Sequence, residues 1–134
     1  MAEILNNQYS SVFVQDDGNL PNVHICGLST IEDFIVTRTS IVDSIEKLDI
    51  NTSGGIDNIP AWFYKNFPEQ LSVPLQYIFA KSLSSGCIPK EWKMAIVSPV
   101  YKGNNKKLSD PASYRPVSLT CIACRLFERI IKDK

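Results

Sequence analysis

No stretch of this chain approaches the roughly 20 consecutive apolar residues that a bilayer-spanning helix requires, and no apolar signal segment opens it. Both lacks point to a reducing intracellular setting and no membrane partner. Cysteine is sparse: Cys26, Cys87, Cys121 and Cys124 are too scattered for a disulfide framework. Histidine is nearly absent. With His24 alone and far away, Cys121-x-x-Cys124 has no second pair to complete a zinc site. It reads as two small buried groups near the start of a helix. Internal repeats and low-complexity tracts are also missing. Net charge is zero, which excludes a uniformly basic or acidic binding protein but hides an asymmetry. Residues 1–80 hold 3 Lys and Arg against 10 Asp and Glu, and residues 81–134 hold 11 against 4, balances of −7 and +7. A chain polarised in this way can bind nucleic acid through its second half, or fold so that its halves neutralise each other.

What is present is ordinary globular material. Hydrophobic residues at 44% and charged ones at 21% exclude disorder throughout, and 134 residues suffice for one domain with a real core. Residues 1–28 form a poorly patterned lead-in, in which the short segment Ile4–Val14 is broken by Asp16-Asp17-Gly18-Asn19. From Ser29 the patterning sharpens. Ser29 and Glu32 make a capping box, and Ile31, Phe34, Ile35, Ile41, Val42, Ile45 and Leu48 follow at helical spacing, which predicts a helix over 30–48. Gly54 and Gly55 then form a turn free to take positive φ. Asp57 or Asn58 caps a short helix beginning near Pro60, whose Trp62, Phe63 and Phe67 read as core rather than as a base-stacking platform. A second long helix is expected from about Glu69 to Ser85, or from Pro74, with Gly86 as its stop. A third follows over Cys121–Lys132, with Leu126, Phe127, Ile130 and Ile131 on its apolar face and Arg125, Arg129 and Lys132 on a basic one.

Between the last two helices lies the stretch with the clearest chemistry. Met94–Tyr101 is rich in β-branched and aromatic residues. A polar loop with Gly103, Lys106, Lys107 and Asp110-Pro111 follows, and Tyr114 opens a second extended run. The pattern predicts a β-hairpin with a basic tip, its strands kept short by Pro99 and Pro116. By alternation Ile96, Ser98, Val100 and Lys102 share one face of the first strand, and Arg115, Val117 and Leu119 one face of the second. With Val100 and Val117 turned inward, Lys102 and Arg115 emerge together. An ammonium beside a guanidinium fork suits phosphate oxygens, although basic hairpin tips are commonly just solvated. The fold class expected is α+β, three or four helices packed on one small antiparallel hairpin.

Several motifs in fixed order carry a family resemblance. They are Gly54-Gly55-Ile56-Asp57-Asn58-Ile59-Pro60, Pro74-Leu75 to Phe79, Gly86-Cys87-Ile88-Pro89 with Trp92-Lys93, Ser98-Pro99-Val100-Tyr101-Lys102, Tyr114-Arg115-Pro116-Val117-Ser118-Leu119 and Phe127-Glu128-Arg129-Ile130-Ile131. Together, over residues 30–134, they resemble the start of the reverse transcriptase domain of non-LTR (LINE-type) retrotransposons. The resemblance implies that residues 29–134 are the N-terminal extension and fingers of a right-hand polymerase. It implies RNA template and DNA primer as partners, Mg²⁺ and deoxynucleoside triphosphates as the parent enzyme's cofactor and substrates, and a nuclear site of action. In it Lys102 and Arg115 would reach the triphosphate of the incoming nucleotide, while Lys106, Lys107, Arg125 and Arg129 would contact nucleic acid. The family's Gly-Pro-Asp-Gly-like turn is replaced here by Gly55-Ile56-Asp57-Asn58. Metal-assisted phosphoryl transfer needs carboxylates that hold two ions about 3.5–4 Å apart. After the hairpin only Glu128 and Asp133 remain as acids, and Glu128 reads as a helix-face charge among Arg125, Arg129 and Lys132. The chain is therefore expected to have no catalytic residues and no metal site of its own. A reading of another class is a non-catalytic RNA- or DNA-binding module that uses the basic C-terminal half. A third is an interaction domain built on the two long helices.

Overall fold

The computed structural model describes residues 2–14, 34–103 and 107–133. Its elements, in chain order, are α1 (Ala2–Ser10), α2 (Arg38–Glu46), α3 (Ala61–Asn66), α4 (Pro68–Ser85), β1 (Ile96–Tyr101), β2 (Tyr114–Leu119) and α5 (Ile122–Lys132). A short 3-10 turn precedes each strand, at Lys90–Lys93 and at Pro111–Ser113. The class is α+β, with a two-stranded sheet in which β1 pairs with β2. Five helices, rather than three or four, are found among the described residues.

The chain divides into two compact units: Met1–Asp33 with Ser98–Val117, and Phe34–Val97 with Ser118–Lys134. In the first, α1 packs on the Pro111–Ser113 turn. Leu5 and Ser113 are buried there, so the lead-in is a formed helix at 2–10.

The second unit holds an apolar core. Ile41, Ile45, Phe79, Ile122 and Leu126 are among its fully enclosed side chains, and α2 lies against both α4 and α5. Phe79, Trp92 and Phe127 form its aromatic centre, with ring centroids 4.8 to 5.7 Å apart in tilted and edge-on pairings, the geometries that ring quadrupoles favour. The apolar spacing of α4 and α5 anticipates this: Leu75 and Phe79 on one, Leu126, Phe127 and Ile130 on the other, are all buried.

Several local expectations are corrected. Of the predicted helix over 30–48, the described residues form α2, Arg38–Glu46. Residues 34–37 are not helical, and the Ser29 capping box with Ile31 lies outside the described residues. Thr37 is the cap instead: its backbone is extended (φ −95°, ψ 156°) and its hydroxyl accepts from the Ser40 amide at 3.1 Å. Once Thr37 starts the helix, Ile35 leaves the stripe and is exposed.

α3 begins after Pro60 without a side-chain cap. The Asp57 carboxylate accepts from the Ile59 amide within its own turn, and Asn58, not Gly54 or Gly55, takes the positive φ of 55°. Trp62 is 51% exposed and Phe67 also faces solvent, while Ala61 and Tyr64 are the buried residues of α3. A six-residue helix buries one narrow stripe, and Tyr64 occupies it. α4 starts at Pro68, runs through Pro74 and stops at Gly86, whose φ of 65° is the left-handed value glycine adopts freely.

Candidate phosphate-binding hairpin and basic helix

Two observations fix the register of β1 against β2. The Lys102 amide donates to the Ser113 carbonyl at 2.9 Å, and the Tyr101 and Tyr114 rings lie 5.6 Å apart. Lys102 is therefore opposite Ser113 and Tyr101 opposite Tyr114, as hydrogen-bonded and non-hydrogen-bonded pairs alternate in an antiparallel ladder. Carried along the strands, the register sets Val100 opposite Arg115 and Ser98 opposite Val117. Lys102 and Arg115 thus occupy diagonal positions on one face, and the two tyrosines occupy the other. Diagonal neighbours stand about 7–8 Å apart at Cα, within reach of long side chains.

Both cations are exposed. The Lys102 ammonium donates to the Ala112 carbonyl at 2.8 Å, which folds its stem back across the loop. Arg115 has no hydrogen-bond or ion-pair partner among the described residues, and its five guanidinium donors face water. The tip is pinned by short-range bonds. The Asp110 carboxylate accepts from the Ala112 amide at 2.9 Å, and the Tyr114 hydroxyl donates to the Leu108 carbonyl at 2.9 Å. Lys107 is exposed beside this turn, and Lys106 lies outside the described residues. The inward valines are a correction: Val100 is 37% exposed and Val117 half-buried. Among the described residues the sheet has two strands, too few to bury a face by themselves.

In the second unit, Arg125 and Arg129 of α5 are half-buried and held by main chain. Arg129 donates to the Ser44 carbonyl at 3.1 Å, and Arg125 donates to the Ser53 carbonyl. The Arg125 Nε is buried with no partner among the described residues. Both arginines thus tie α5 to α2 and to the loop after it. Each also borders a shallow groove of about 570 Å³, with Lys47, Glu128, Lys132 and Asp133 as the other lining residues. Four cations against two carboxylates leave the groove net positive. Lys47 escaped the sequence reading; its only signal was a basic residue at a helix C-terminus, commonly placed there for the helix dipole.

The Cys121 and Cys124 pair is part of the apolar core. Cys121 is the N-cap of α5 and Cys124 lies one turn in; both are buried. Burial, reinforced by the neighbouring Glu128 carboxylate, pushes the Cys124 thiol up to about 12, and burial likewise raises Cys121. Neutral thiols are poor nucleophiles and poor metal ligands. Among the described residues no group of three or more His, Cys, Asp and Glu could hold a metal ion, and no helix is long and apolar enough to cross a membrane.

Fold and side-chain placement define a class: a small α+β segment whose exposed cations stand on a hairpin and whose helical part is packed around an aromatic centre. Curated relatives take the identification further. The chain is 35% identical over 94 residues to a probable RNA-directed DNA polymerase from transposon BS of Drosophila melanogaster, a match covering 70% of this chain and 10% of that protein. It is 31% identical over 99 residues to the RNA-directed DNA polymerase from mobile element jockey, covering 74% of this chain and 11% of that protein. It is also 31% identical over 91 residues to the probable polymerase from transposon X-element, both again of Drosophila melanogaster. This chain is thus similar to one part of the RNA-directed DNA polymerases of non-LTR retrotransposons. It spans about a tenth of the length of the relatives it matches. No family model matches the chain.

Proposed function

We propose that this chain is the N-terminal extension and fingers of a retrotransposon reverse transcriptase, and that its hairpin grips phosphates during the copying of RNA into DNA. Lys102 and Arg115 are the residues in question. One would supply a point charge and the other a bidentate fork to the triphosphate of an incoming deoxynucleotide or to the template backbone. Support comes from the polymerase relatives and from the diagonal placement of both cations on one face of β1–β2. Mg²⁺, template RNA and primer DNA belong to this reading as properties of the whole polymerase. The carboxylates for the metal ions would come from outside this chain, so the chain alone would make no DNA. A nuclear site of action follows from the same reading.

Binding of short single-stranded RNA, and of a deoxynucleoside triphosphate, by Lys102→Ala and Arg115→Ala tests it. Each variant is expected to weaken RNA binding about tenfold at low salt and to lower the slope of log K against log salt by about one, the signature of a lost phosphate contact. Unchanged affinity and slope in both variants would overturn the assignment of the hairpin. Primer extension by the chain alone with Mg²⁺ would overturn its proposed inactivity.

A further inference from the structure

We propose that Ser109 is a phosphorylation site that switches off the hairpin's grip on phosphates. The inference rests on the reading of Lys102 and Arg115 given above. Ser109 is exposed in the turn at Leu108–Ser109, between Lys107 and Asp110. In sequence it follows Lys106-Lys107-Leu108, so two basic residues lie two and three positions ahead of the hydroxyl. Serine/threonine kinases with acidic substrate clefts select targets by such a charge pattern.

The turn holds Ser109 without using its hydroxyl. Its internal bonds are the Asp110 amide to the Lys107 carbonyl at 3.1 Å and the Tyr114 hydroxyl to the Leu108 carbonyl at 2.9 Å. Neither uses the Ser109 side chain. In the transfer, Ser109 Oγ attacks the γ-phosphorus of ATP. The Oγ–P bond forms as the bond to the bridging oxygen of ADP breaks, ADP leaves, and the hydroxyl proton passes to the kinase's base.

The consequence is electrostatic. Ser109 is four residues from Ser113, which is paired with Lys102, and the Lys102 ammonium is already folded onto Ala112. The intervening 3-10 turn at Pro111–Ser113 shortens that path further. A phosphoserine there brings about −1.5 to −2 charges and three acceptor oxygens. A Lys102 ammonium that leaves one carbonyl for a phosphate oxygen gains a charge-assisted bond. Lys102, Lys107 and Arg115 against Asp110 give the described tip a charge of +2, which the new group cancels. The modified tip then holds its own phosphate in place of a ligand's.

The test uses the whole chain, ATP and a basophilic kinase, the catalytic subunit of cAMP-dependent protein kinase. Mass spectrometry should place a phosphate on Ser109 that is absent from Ser109→Ala. Phosphorylated protein should bind short single-stranded RNA about tenfold more weakly at low salt, with a salt slope lower by about one. Phosphatase should restore both, and Ser109→Glu should give a smaller loss in the same direction. Failure to modify Ser109 overturns the proposal. So does a Ser109 phosphate that leaves affinity and slope unchanged while Lys102→Ala and Arg115→Ala lower them. If neither the phosphate nor those two substitutions alters binding, the phosphate-gripping role of the hairpin itself falls, and the switch with it.

Discussion

A methyl group added at Gly55 would lie 2.4 Å from the Cys121 amide nitrogen and 2.5 Å from its Cα, closer than real Cβ atoms approach such neighbours. Both obstacles are main chain at the start of α5, so neither can rotate away. Gly55→Ala should therefore cost at least the about 1–3 kcal/mol typical of overpacking, read as a lower urea midpoint at unchanged slope. Cys121 and Cys124 lead to a second residue-scale prediction. A native protein carrying Cys26→Ser should expose only the Cys87 thiol to an aromatic disulfide reagent, with Cys121 and Cys124 reacting on unfolding. Their pH effect has a definite sign. An unfolded cysteine ionises near about 8.5, whereas burial raises both thiols when folded, Cys124 to about 12. Tyr64, raised to about 12 mainly by burial, acts in the same direction. Between these limits the folded chain keeps protons that the unfolded chain loses. The stability they contribute is full below about pH 8.5 and falls as pH climbs toward 12. Alkaline urea titrations should show that decline, and Cys124→Ser should make it shallower.

At the scale of elements, caps and stops decide where the helices lie. Thr37→Ala removes the hydroxyl that accepts from the Ser40 amide and should destabilise the chain by about 1 kcal/mol, while Thr37→Ser should not. Chemical denaturation of the two variants side by side checks this. The start of α2 carries no capping box, since Thr37 has no acidic partner three residues on. Yet Thr37 is the cap, because the buried stripe of α2 is Ile41 with Ser44 and Ile45, and a helix entered at Thr37 delivers that stripe to α4 and α5. The hairpin was legible for the opposite reason. Period-two alternation is a property of the extended backbone itself, so the shared face of Lys102 and Arg115 could be read before any packing was known. The packing of Val100 could not, since burial depends on a covering layer.

Taken whole, the second unit depends on the Phe79–Trp92–Phe127 centre, to which α4, the Lys90–Lys93 turn and α5 each contribute one ring. Phe79 is fully enclosed, so Phe79→Ala should cost about 3–5 kcal/mol through lost burial and the cavity left behind. Thermal unfolding followed by near-ultraviolet circular dichroism would register both the loss and the disrupted rings. The cations of the basic second half differ in what they bond to. Lys102, Lys107 and Arg115 are exposed around the hairpin tip, whereas Arg125 and Arg129 spend donors on the Ser53 and Ser44 carbonyls.

By itself the sequence determined what is local or statistical. Helical spacing marked α4 and α5, alternation marked the strands, Gly86 marked the end of α4, and six motifs in order marked the family. Tertiary structure decided what depends on partners far along the chain. It placed Tyr64 rather than Trp62 in the core, pressed Gly55 against Cys121, and bonded Arg125 and Arg129, the two arginines expected to contact nucleic acid, to carbonyls 72 and 85 residues away. The physical reason is that propensity and periodicity act over a few residues, whereas burial and hydrogen-bond satisfaction are settled only when distant segments pack together.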